Sequence, residues 1–189
     1  MPRRACFKIG CYYHLYNRGN NYQDIFFCRD NYLHFLRLLR QHLVEQGVDI
    51  LAYCLMPNHY HLLIQSQTSD VSSRMRSLSL AYTKAMNRRY GRVGSLFQGR
   101  FQSICVESDD YLCQLTQYIH SNPVKAGLVA APENWEFSSY PDYANLRQGT
   151  LPNLSTMQLF LGSETKYQQW LLESSSTLKP HTKVLLLDE

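Results

Sequence analysis

The chain has 189 residues, an apolar fraction of 44% and a net charge of +4, which suits one globular domain with an appendage. No apolar run approaches membrane-spanning length, and the basic N-terminus lacks the apolar segment of a secretory signal, so a cytoplasmic protein without membrane partners is expected. Six scattered cysteines with no C-x-x-C pair exclude a disulfide scaffold and a zinc ribbon as the organising principle.

The first predicted strand runs from Gly10 to Tyr16 and ends at the turn-rich stretch Asn17–Asn21. After Ile25–Phe27, Asp30 is the expected cap of a helix from about Asn31 to Glu45, stopped at Gly47. Tyr32, Phe35, Leu36, Leu39 and Leu43 recur at three- and four-residue steps, so one face of this helix packs on a sheet. Val48–Leu55 reads as a second strand, Pro57-Asn58 as a turn, and His59–Gln65 as a third strand antiparallel to the second. A second helix spans about Val71 to Tyr90, with Val71, Met75, Leu78, Tyr82 and Ala85 inward and Lys84, Arg88 and Arg92 on an outward row. A fourth strand lies near Phe101–Val106, and Ser108-Asp109-Asp110 opens a third helix that Pro123 ends.

This order, β-α-β-β-α-β-α, describes an α+β protein with a ferredoxin-like antiparallel sheet and an extra helix after the last strand. Beyond Ala131, Trp135, Phe137, Tyr140 and Tyr143 form an aromatic cluster expected to wrap over the core. Short helices are expected near 156–161 and 165–172, with a frayed end from Ser174.

Charge is unevenly distributed. Residues 1–130 carry 15 Lys+Arg against 8 Asp+Glu, and residues 131–189 carry 4 against 7. Between Val71 and Ser103 lie Arg74, Arg76, Lys84, Arg88, Arg89, Arg92 and Arg100 with no acidic residue. A solvated helix face is the plain reading of such a run; a field of one sign also attracts polyanions, so nucleic acid is a candidate partner.

Chemistry enters with His59 and His61. On a strand, residues i and i+2 share a face, so the two imidazoles stand side by side while Tyr60 turns into the core. Two neutral imidazoles form a bidentate site for a divalent cation. Tyr118 and Asn122, four apart on the third helix, also share a face and offer a nucleophile and a possible third ligand. Each feature has a structural alternative: H-x-H pairs are often surface or core histidines, Tyr118 is one of 14 tyrosines with Tyr111 as a rival on the same helix, and Asn122 precedes a proline. His120 should point away from Tyr118.

Four stretches occur in order: Tyr13–Gly19 (YHLYNRG), Ala52–Leu63 (AYCLMPNHYHLL), Gly94–Phe101 (GSLFQGRF) and Tyr118–Val129 (YIHSNPVKAGLV). Together they resemble the single-tyrosine HUH transposases, and within them the REP-associated tyrosine transposase branch. The resemblance covers about Tyr12 to Tyr140, which implies a catalytic domain over 1–130 and a packed C-terminal extension over 131–189. It implies that His59, His61 and Asn122 hold Mg²⁺ or Mn²⁺. It further implies that Tyr118 attacks single-stranded DNA near a hairpin, forming a 5′-phosphotyrosine link and freeing a 3′-hydroxyl. Arg18, Arg74, Lys84, Arg88, Arg92 and Arg100 are the candidate DNA contacts on charge grounds. In similar transposases the tyrosine helix can be exchanged within a dimer, while REP-associated members can work as monomers; the aromatic wrap favours a monomer here.

Two other functions stay open at this stage. A non-catalytic nucleic-acid binder on a ferredoxin-like sheet would use the charge and not the histidines, although the glycine-flanked aromatic signature of RRM modules is not evident. A metal hydrolase would combine His59 and His61 with a carboxylate such as Glu107.

Overall fold

Residues 6–161 and Tyr167 are described by the computed structural model of the chain. Its elements are β1 (Tyr12–Arg18), α1 (Arg29–His42), β2 (Val48–Met56), β3 (His59–Ser66), α2 (Val71–Tyr90), β4 (Gln102–Val106), α3 (Asp109–Lys125), α4 (Tyr140–Tyr143) and α5 (Leu154–Leu161). The sheet is antiparallel throughout, in the order β2-β3-β1-β4, which is the ferredoxin-like arrangement expected from the alternation of elements. No helix among the described residues is long and apolar enough to cross a membrane. Apart from Tyr167, the helix expected near 165–172 and the stretch from Ser174 lie outside the described residues.

The period of two along each strand sorts side chains into two layers. Tyr13, Leu15, Tyr60, Leu62 and Ile64 face α1 and α2 and share a core with Phe35, Leu39, Met75, Leu78 and Tyr82. Ala52, Cys54, Met56 and Leu63 face the other way, onto Leu112, Leu115, Tyr118 and Ile119 of α3. Fully burying such side chains contributes about 1.5–3 kcal/mol each. A register shift between Ile50 and Ala52 inserts Leu51 as a bulge residue, which keeps Tyr53 and Leu55 in the first layer and Ala52, Cys54 and Met56 in the second.

Two helix ends differ from expectation. Cys28, not Asp30, is the N-cap of α1, because the buried Asn31 amide oxygen accepts the backbone N–H groups of Phe27 and Cys28. Asp30 sits in the first turn, paired with Arg89 at 3.1 Å. Pro123 does not end α3; the helix runs through it to Lys125. A proline removes one backbone donor, here the one that would have reached the Ile119 carbonyl four residues back, while the Tyr118 carbonyl accepts from Ser121 Oγ and Asn122 Nδ2. Termination falls to Gly127, at φ +67°, with Leu128 N–H donating to the Pro123 carbonyl.

The aromatic segment after Ala131 lies along the outer edge of β2. Leu55 N–H donates to the Phe137 carbonyl, Ser139 N–H to the Tyr53 carbonyl, and Trp135 Nε1 to the Leu55 carbonyl. An otherwise open strand edge is thereby paired. Arg147 fastens the segment by donating to the Asp142 carboxylate, the Tyr53 hydroxyl and the carbonyls of Glu136 and Ser138.

Candidate active site

The β2–β3 turn delivers His59 and His61 to the layer facing α3, with ring centroids 5.1 Å apart. Tyr60 between them is fully buried in the opposite layer, which fixes the register of the pair. On the neighbouring strand, Arg18 is the partner of His59, Tyr16 of His61 and His14 of Leu63. Directly opposed residues share a face, so His14, Tyr16 and Arg18 form a second row beside the histidines.

A hydrogen bond to an amide oxygen assigns the tautomer of His59. His59 Nδ1 meets Asn58 Oδ1 at 2.7 Å, and a neutral ring donating there carries no proton on Nε2. His61 Nδ1 meets His14 Nε2 at 3.0 Å across the sheet, while His61 Nε2 is buried with no hydrogen-bond partner among the described residues. Burial holds His61 well below its ordinary range, with the neighbouring His14 and His59 adding to the effect. Burial alone brings His14 down to about 3. Both rings are therefore neutral at physiological pH, the state in which imidazole ligates a cation. An outer partner on Nδ1 with Nε2 turned inward is how ligating histidines are usually held, so the donor set fits a divalent ion.

Tyr118 reaches this pair from α3. Its ring meets His61 edge to face with centroids 5.4 Å apart, and Lys125 Nζ lies 5.1 Å from the centre of the Tyr118 ring. Tyr118 is 4% exposed and His61 1%. Asn122 remains helical one turn beyond Tyr118 and is buried; its Nδ2 donates to the Tyr118 carbonyl at 3.2 Å, so Oδ1 is the atom that could ligate. Among the described residues, no three His, Cys, Asp or Glu side chains gather into a metal-holding group, so an amide is the natural complement to the two imidazoles.

The other candidates separate clearly. Tyr111 lies in the first turn of α3, about 10 Å along the helix from Tyr118. Glu107 follows β4 at the Tyr12 end of β1, the opposite end of the sheet from His59. His120 turns away from Tyr118, as expected, with Nε2 2.7 Å from Ser139 Oγ and Nδ1 on the Tyr167 hydroxyl. Arg18 stands at the rim of the site, and Arg100 follows in the loop bonded to it, where Gln98 N–H donates to the Arg18 carbonyl. Arg74, Lys84 and Arg88 lie on α2, behind the sheet from the histidines. Arg74 is also paired with Asp70 at 3.4 Å. Arg92, just after α2, stacks 5.4 Å over Phe27.

Sequence reasoning missed His14, Tyr16 and Lys125. The two-residue alternation applied to His59 and His61 would have found the first two, had it been applied to β1 as well. Lys125 required knowing that α3 continues past Pro123.

Comparison with known proteins agrees with this geometry. The family described as "Transposase IS200 like" matches residues 7–122. A Haemophilus influenzae protein named as a REP-associated tyrosine transposase is 30% identical over 103 residues, 49% of this chain and 58% of that one. The REP-associated tyrosine transposase of Escherichia coli K12 is 26% identical over 110 residues, 57% of this chain and 62% of that one; the match thus spans about three fifths of each relative's length. A solved REP-associated tyrosine transposase bound to a REP hairpin superposes with a TM-score of 0.62 at 22% identity, over 82% of this chain and 88% of that one. The chain belongs to the family described as Transposase IS200 like, and within it is similar to REP-associated tyrosine transposases.

Proposed function

We propose that this chain cleaves and rejoins single-stranded DNA beside a hairpin, with Tyr118 as the nucleophile. The observation that carries the reading is the contact of the Tyr118 ring with His61 inside one chain. It places a phenol against the neutral His61 imidazole, beside His59, without help from a second copy, which supports a monomer as a competent unit. The solved relative is bound to a REP hairpin, which supports hairpin DNA as the substrate class.

In the proposed reaction the Tyr118 oxygen attacks phosphorus in line with the leaving oxygen. The P–O3′ bond breaks, the 3′ oxygen takes up a proton, and a 5′-phosphotyrosine ester remains. Attack of a 3′-hydroxyl on that ester restores a phosphodiester and frees Tyr118. His59, His61 and Asn122 would hold Mg²⁺ or Mn²⁺, which when bound polarises a non-bridging phosphate oxygen and offsets its charge. Asn58 and His14 keep the two rings oriented, and Lys125 brings a positive charge beside the Tyr118 ring, suited to an approaching phosphodiester. Arg18, at the rim on the same face, is the cation best placed for the flanking backbone.

End-labelled hairpin DNA incubated with the protein and Mn²⁺, run on a denaturing gel, tests this. Wild type and Tyr111→Phe are expected to give a covalent adduct, and Tyr118→Phe none. An adduct retained in Tyr118→Phe rules out this nucleophile; a free cut product without adduct points to hydrolysis, and a mobility shift alone to a binding protein.

A further inference from the structure

Among the described residues, the exposed aromatic side chains are Tyr22, Phe27 and Tyr90, at 54%, 38% and 37% exposure. Each carries an arginine over its ring: Arg18 at 4.0 Å from the Tyr22 centroid, Arg92 at 5.4 Å from Phe27, and Arg89 at 5.7 Å from Tyr90. Phe27 and Tyr90 also pack together, with centroids 4.7 Å apart. Apolar rings left in water are ordinarily scattered; rings all paired with guanidinium groups make a surface of a particular chemistry. Flat π faces alternating with planar cations are what unpaired nucleobases and their phosphates stack on and pair with.

The position of the strip says which strand it would serve. Tyr22 and Phe27 lie on the connection from β1 to α1, which starts at Arg18, the register partner of His59, and Tyr90 meets it from the end of α2. Asn58, which holds His59 Nδ1, also donates Nδ2 to the Tyr22 carbonyl at 3.4 Å. Ile25 and Phe26 N–H groups both donate to the Pro57 carbonyl, tying the same connection to the turn that presents the histidines. Tyr22 and Asn21 take left-handed backbone angles, φ +58° and +53°, a conformation unfavourable for non-glycine residues. Gly19 allows the reversal, since a Cβ there would sit 1.8 Å from the Gln23 carbonyl oxygen. The strained turn holds the Tyr22 ring out in solvent. From Tyr22 to Phe27 the chain can reach at most about 18 Å, room for a few nucleotides. Asp24 is the one acidic residue between Arg18 and Cys28.

We propose that the Tyr22, Phe27 and Tyr90 rings, with Arg18 and Arg92, form a stacking track for the unpaired bases next to the cleaved phosphate, Tyr22 taking the base nearest the histidines, while Arg89 over Tyr90 is held by Asp30. The track rests on the strand-cleavage reading above, and its test is independent of cleavage.

The test is fluorescence-anisotropy titration of the full chain with two DNA hairpins, one blunt and one with mixed-sequence single-stranded tails. Loss of one base–aromatic stack is expected to weaken binding roughly 5- to 150-fold. Tyr22→Ala and Phe27→Ala should each show that loss on the tailed hairpin and change blunt-hairpin binding less than about twofold. Tyr22→Trp should keep wild-type affinity, and abasic tails should erase the difference between Tyr22→Ala and wild type. Unchanged tailed binding in Tyr22→Ala, or an equal loss on both hairpins, overturns the track. Wild type that forms the covalent adduct while Tyr22→Ala binds normally sinks the track alone; wild type that needs Tyr22 for tails yet forms no adduct sinks the cleavage reading alone.

Discussion

Asn58 grips the ring of His59 and the carbonyl of Tyr22 at once, through the two ends of a single amide. Removing it with Asn58→Ala frees the His59 ring to turn while leaving both cores intact. Mn²⁺ affinity, read from the free-ion EPR signal, is expected to fall about 10- to 100-fold, the usual effect of losing an outer partner of a ligating histidine. Global stability should change by less than about 1 kcal/mol, since the turn is partly exposed. Unchanged Mn²⁺ affinity would show that the Asn58 amide does not orient the ring.

His14 does the same for His61 from the neighbouring strand, but from a buried position. His14→Ala is expected to weaken Mn²⁺ binding and to cost about 2–4 kcal/mol of stability, because the buried hydrogen bond to His61 is lost and a cavity opens. His14→Gln, which returns an acceptor oxygen, should recover part of the Mn²⁺ affinity. Equal losses in the two variants would mean that packing, and not the hydrogen bond, is what matters at this position.

Arg147 and Asp142 form the ion pair that fastens the C-terminal segment to β2, and the Asp142 side chain is fully buried. Truncating one member of such a pair leaves the other as an uncompensated charge, at about 3–5 kcal/mol. Urea unfolding of Arg147→Met should show that loss. The double variant Arg147→Met/Asp142→Leu should recover much of it.

Acid should unfold this protein early. Burial brings His14 and His120 from an ordinary 6.5 down to about 3, so the folded state keeps both neutral while the unfolded chain protonates them. Their stabilisation is complete above about pH 6.5 and declines as pH falls toward 3, by about 1.4 kcal/mol per pH unit for each ring. Denaturant titrations at stepped pH should show this slope. His120→Gln, which removes the ring between Ser139 and Tyr167, should lower it by about one proton.

The sheet was legible because hydrophobic alternation and turn residues agree at every strand, and His59-Tyr60-His61 displays its two-faced character in three letters. Tyr118 was legible only through the motif around it; nothing local separates it from Tyr111, and the distinction comes from how far along α3 each one lies. Helix ends were less readable. Asn31 outcompetes Asp30 as the capping partner because its buried amide oxygen can accept two N–H groups, and α3 runs through Pro123 to Lys125 although the proline removes a backbone donor. The basic residues of α2 are candidate DNA contacts on charge grounds alone, and a one-dimensional charge count cannot tell which layer a helix joins. The inward stripe from Val71 to Met86 sends it behind the sheet.

The depth of Tyr118 has a dynamic corollary. The Tyr118 residue as a whole keeps only 4% of its usual solvent contact, so for a strand of DNA to meet it α3 or its neighbours must part. Turnover would then be paced by that opening, and loosening the grip of α3 on the sheet would speed the first encounter even as it lowers the melting temperature.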